Sequence, residues 1–87
     1  MPSICAETTV ADYAKWRTNF DNNAAARTAV GLSNPRVFRN ADNGNHIIVI
    51  ADAADPAKAR QALESPEYRA RMQAGGSTSP PKIYVIE

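Results

Sequence analysis

His46 is the only histidine of the 87-residue chain, and it heads the apolar stretch HIIVIA at residues 46–51. An imidazole is the side chain best suited to accept a proton near neutral pH. Two readings of His46 follow from strand alternation, and alternation alone leaves both open. On the covered side of a sheet it is a candidate general base, with Ile48 and Ile50 beside it in a binding site. On the other side it is a strand-start residue next to the Asn43-Gly44 turn, and a pH-sensitive interface replaces catalysis.

Arginines are the next group able to act on a ligand. Arg27 and Arg39 are candidates to hold a carboxylate or enolate, because a guanidinium pairs with planar oxyanions. Arg17, Arg36, Arg60, Arg69 and Arg71 read as solvated charges, the last three beside Glu64 and Glu67. Tyr13, Trp16 and Phe20 share a helical stripe with Arg27. Large aromatics at this spacing form core, and in the same place they can grip an aromatic or carbonyl substrate. Tyr68 and Met72 supply a second such face, and with Ile48 these aromatics complete the substrate-binding set. Cys5 has neither a neighbouring base nor a helix N-terminus, so a nucleophilic thiolate is not expected. The sequence contains no glycine-rich phosphate loop, GxSxG, HExxH or CxxC pattern. A metal centre within one chain is therefore not expected.

Composition narrows the function classes further. A net charge of +1 gives no broad field for nucleic acid or acidic membranes. The longest apolar run, Ile47–Ala51, is far too short to span a bilayer. With one cysteine and no visible signal peptide, the expectation is a soluble cytoplasmic protein forming one domain over 1–87.

The elements that must position these groups follow in order. SICAE at 3–7 reads as a strand, and 10–30 as a helix with Thr9 as N-cap and Gly31 as terminator. Residues 36–40 and 46–51 form a hairpin about the turn at 42–45, with Pro35 marking an edge strand. A second helical segment starts at Asp55-Pro56, breaks at Ser65-Pro66 and ends at Gly75-Gly76. KIYVIE at 82–87, after a loop with Pro80 and Pro81, is the last strand. Strand, helix, strand, strand, helix, strand is the order of the ferredoxin-like α+β sandwich. Right-handed crossovers put the first and third strands in the middle of a four-stranded antiparallel sheet. Two helices cover one face only. The uncovered face keeps either Ile47, Val49 and Ala51 or Ile48 and Ile50, which favours a homodimer paired sheet to sheet.

Three stretches, DYAKWRTNFD, NHIIVIADAADPAKARQALESPEYRARMQAGG and PPKIYVIE, resemble the dimeric α+β barrel superfamily, and within it small proteins related to antibiotic-biosynthesis monooxygenases. The resemblance implies a cavity in each subunit between sheet and helices. There, members carry out cofactor-independent oxygenation of aromatic polyketides, isomerisation, cyclisation or haem breakdown, or have no known chemistry. Haem-degrading members pair a first-strand asparagine with a tryptophan and a histidine on the second helix. This chain has Cys5 and Ala6 on that strand and no histidine on that helix, so haem degradation is not expected. Ala53 stands where small relatives often carry an aromatic, a change that enlarges the cavity or removes a packing residue. The resulting expectation is a small cofactor-independent enzyme acting on an aromatic or polyketide-like molecule in a closed cavity of a few hundred Å3. The alternative is a non-catalytic ligand-binding or structural homodimer of the same fold. Nucleic-acid binding is discounted, because VFRNA and KIYVIE lack the aromatic pattern of RNA-recognition strands.

Overall fold

The computed structural model describes residues 2–79 and 81–87, so the loop expectation at Pro80 lies outside the described residues. The elements are β1 (Ser3–Thr9), α1 (Tyr13–Asn22), α2 (Ala24–Ala29), β2 (Leu32–Arg39), β3 (His46–Ala53), α3 (Pro56–Leu63), α4 (Pro66–Ala74) and β4 (Lys82–Ile86). All strand pairs are antiparallel, in the order β2-β3-β1-β4. The ferredoxin-like α+β arrangement expected from the element order is the one observed, with β1 and β3 central.

Thr9 does not cap the first helix. β1 runs two residues beyond the expected strand, because Thr8 and Thr9 still pair with Ile47 and His46. The cap is Asp12, whose carboxylate accepts from the amides of Ala14 (2.9 Å) and Lys15 (3.4 Å). Asp12→Ala is expected to cost about 1 kcal/mol, measurable as a lower denaturation midpoint in urea.

The single helix expected over 10–30 is interrupted at Asn23. Its side-chain amide donates to the Asn19 carbonyl at 2.8 Å, and its backbone amide turns to the Phe20 carbonyl at 3.2 Å. Asparagine competes in this way with the regular helical ladder. Gly31 then ends α2 with φ +81°, the left-handed conformation that favours glycine.

Pro35 lies inside β2 at a register shift between Ser33 and Arg36. A missing N–H is tolerated there, because the ladder is already broken and β2 is an edge strand. The hairpin loop is held by side chains: Asn40 accepts from the Asp42 amide and Asn43 from the Asn45 amide. The expected break between α3 and α4 is present, with Asp55 and Ser65 as caps and proline opening each helix.

Strand alternation now has a direction. Ile47 is 0% exposed and Ala51 4%, so these residues and Val49 face the helices. His46, Ile48, Ile50 and Asp52 therefore face the open side. The core beneath the helices is divided. Ile4, Leu32, Ala51, Ala53, Ala59 and Leu63 form one cluster, and Val10, Trp16 and Ile47 form the other. No helix among the described residues is long and apolar enough to cross a membrane.

Candidate functional site

A cavity of about 70 Å3 lies between the two core clusters. Its floor is the helix-facing side of the sheet, including Ala6, Thr8 and Val49. α1 contributes Trp16, Asn19 and Phe20, α2 Arg27, and α4 Tyr68, Arg71 and Met72. Arg71 is exposed, which places it at the rim. The end of α4 approaches α1 closely, since a Cβ at Gly75 would stand 2.4 Å from Nδ2 of Asn19.

Trp16 and Phe20 on one wall belong to a ladder of rings that runs on beyond the cavity. Trp16 and Phe20 stack at 5.0 Å between centroids, and Tyr13 follows Trp16 at 6.0 Å. A guanidinium closes each end: Arg27 lies 3.7 Å over Phe20, and Arg39 3.9 Å over Tyr13. Cations favour the negative face of a ring. The helix break prepares the Arg27 end, because the Phe20 carbonyl accepts from Nη1 of Arg27 at 2.6 Å.

The sequence-derived candidates thus divide. Trp16, Phe20, Arg27, Tyr68 and Met72 line the cavity. Tyr13 does not; it packs against the Val10 cluster under Arg39. Arg39 is not at the cavity either, since its Nε donates to the Gly44 carbonyl at 2.9 Å and ties the hairpin loop to α1. Ile48 and His46 lie on the opposite face of the sheet. His46 is held there between two partners, with Nε2 2.7 Å from Oε1 of Glu7 and Nδ1 3.2 Å from Nδ2 of Asn40. A neutral ring that donates to Glu7 and accepts from Asn40 satisfies both contacts. The expectation of a base within the cavity is therefore corrected: the parity that buries Ile47 turns His46 away.

Asn19, Asn23 and Arg71 line the cavity without having been singled out. The signal was available, for Asn19 and Asn23 continue the Trp16, Phe20, Arg27 stripe, and Arg71 follows Tyr68 by three residues. Ala53 is fully buried in the first core cluster and does not enlarge the cavity.

The lining contains arginine, asparagine, threonine and tyrosine, but no aspartate, glutamate, lysine or histidine. Burial pushes the Tyr68 hydroxyl up from its ordinary value, against the opposing pull of Arg27 and Arg71, so it stays a donor at neutral pH. On the open face, burial and then the Glu7 carboxylate raise the Cys5 thiol, which keeps it protonated. No group of three or more metal-binding side chains occurs among the described residues.

No family model matches the sequence, and no curated protein does. Solved structures share the arrangement closely. SnoaB, a cofactor-independent oxygenase from Streptomyces nogalater, is 23% identical, with a TM-score of 0.68 over 99% of this chain and 92% of its own. A Bordetella bronchiseptica protein provisionally described as an antibiotic biosynthesis monooxygenase gives a TM-score of 0.78 at 13% identity, over 99% and 94% of the two chains. Rv0793 from Mycobacterium tuberculosis gives 0.64 at 15%, over 99% and 92%. The chain thus shares its fold with proteins described as antibiotic biosynthesis monooxygenases, in line with the sequence resemblance.

Proposed function

We propose that the protein is a small enzyme of the oxygenase, isomerase or cyclase type, acting without a cofactor on an aromatic molecule held between sheet and helices. The observation that carries this reading is the cavity itself: ring faces and hydrogen-bond donors converge on a gap that divides the core. Cofactor-free action is supported by the shared fold of SnoaB, described as a cofactor-independent oxygenase. Because no side-chain base lines the cavity, a proton leaving the ligand passes to water, and the protein's part is to orient the ring and stabilise developing negative charge.

The cavity is smaller than the few hundred Å3 expected. At about 70 Å3 it falls short of the ~150 Å3 that admits benzene. A ring therefore enters only if the lining parts, and Met72 is the side chain best able to move, being half-buried and unbranched. Met72→Ala is expected to raise affinity for a single-ring ligand such as phenol about tenfold, measured by isothermal titration calorimetry. Saturable binding by neither protein would remove the enzyme reading.

The small volume favours a second reading, a structural homodimer without catalysis. Both readings share the proposed dimer. On the open face Phe38 is 50% exposed, Tyr84 48% and Ile86 40%, around the half-buried Ile48 and Ile50. Arg36 pairs there with Asp52 at 3.1 Å, and the Glu7 carboxylate accepts from Nε2 of His46 at 2.7 Å, so the face carries both signs. A second copy related by a two-fold axis would meet both signs as well as the apolar centre.

A further inference from the structure

Arg27 is only 8% exposed, and none of the ion pairs among the described residues includes it. A buried guanidinium is costly unless its charge and its donors are answered. One of its five N–H donors has a partner, Nη1 on the Phe20 carbonyl. Phe20 covers one face of the group. Nε and Nη2 are not among the buried polar atoms left without a partner, and Arg27 is one of the residues lining the cavity. Desolvation weakens the guanidinium's hold on its proton; Tyr68 and Asp21 oppose this effect and Arg17 adds to it. It nonetheless remains a cation at any working pH. Around it stand the Tyr68 hydroxyl and, at the rim, Arg71, with no acid in the lining.

Resting on the reading of this cavity as a ligand site, we propose that its ligand is an aromatic carboxylate. The carboxylate is held side-on by the free Nε/Nη2 edge of Arg27, with Tyr68 as a further donor and the ring against Trp16 and Met72. The edge left free by the Phe20 carbonyl is a planar two-donor fork, which fits the two oxygens of a carboxylate. Arg27 is thus held by Phe20 with no ion pair among the described residues, and the ligand supplies the paired anion.

Calorimetry on the full chain with benzoate and its neutral isostere benzamide tests the proposal. Benzoate is expected to bind about tenfold more tightly than benzamide, the discrimination of one charge-assisted pair. Arg27→Gln should bring the benzoate-to-benzamide affinity ratio down to about one. Arg27→Lys keeps the charge but loses the fork, and should retain only part of the preference. Arg39→Gln, at the far end of the ring ladder, should change neither ligand. Each variant is read as the benzoate-to-benzamide ratio, which a general loosening of the fold does not alter. Equal binding of both ligands to the wild-type protein overturns the carboxylate and leaves the cavity reading intact. Binding of neither overturns both. A preference that survives Arg27→Gln overturns the assignment to Arg27.

Discussion

Trp16→Ala is expected to cost about 3–5 kcal/mol, the range for truncating a buried large aromatic. Trp16 is 5% exposed, belongs to the cluster with Val10 and Ile47, and holds Phe20 and Tyr13 in one stack. Its loss removes one of the two core clusters and widens the cavity at the same time. For a domain of this size, each kcal/mol moves the melting midpoint by roughly 4–8 °C. The midpoint from circular dichroism should therefore fall by more than about 12 °C, while Trp16→Phe recovers most of it. A fall of only a few degrees would mean that the helices hold to the sheet without this cluster.

A second large effect separates two adjacent residues. Ile47→Asp places an unpaired carboxylate where the side chain is 0% exposed, and should abolish folding. Ile48→Asp places the same charge on the open face, opposite Phe38 and in register with Glu7. That variant should keep its far-ultraviolet spectrum but elute with the mass of one chain, where the proposed dimer predicts that the wild type elutes as two. The proposed association through the sheet face is the basis of this prediction, and an Ile48→Asp protein that stays paired would refute it. The large contrast between neighbours comes only from the two-residue period of a strand.

That same period explains what could and could not be read before the structure. Element order, the central place of β3 and the proline-marked edge at β2 followed from the types and spacing of Pro35, Ile47–Ala51, Asp55 and Ser65. The facing of β3 did not follow, because both of its sides are apolar and parity had no anchor until α1 came to rest on Ile47. The facing of two candidate site residues, His46 and Ile48, stayed open together for this reason. The break at Asn23 was also hidden, since the stripe from Trp16 to Arg27 keeps helical spacing through it. What reveals the break is a competition among hydrogen bonds at Asn19, Phe20 and Asn23. Thr9 was mistaken for a cap because a threonine before a helical pattern looks the same whether its backbone is still paired to a strand or already free. The Tyr68 and Met72 face was legible, as both sit on the regular spacing of a short capped helix.

Trp16 is the only tryptophan in the chain, and it forms part of the cavity wall. Excited at the red edge, where tyrosine does not absorb, its ultraviolet emission is thus a property of this one site. The indole is pressed against Phe20, and the Arg27 cation sits on that ring's face. Any molecule that enters, displaces water or draws on the guanidinium alters the field at the indole. The protein therefore carries its own optical reporter of occupancy, able to follow ligand entry in real time without a label.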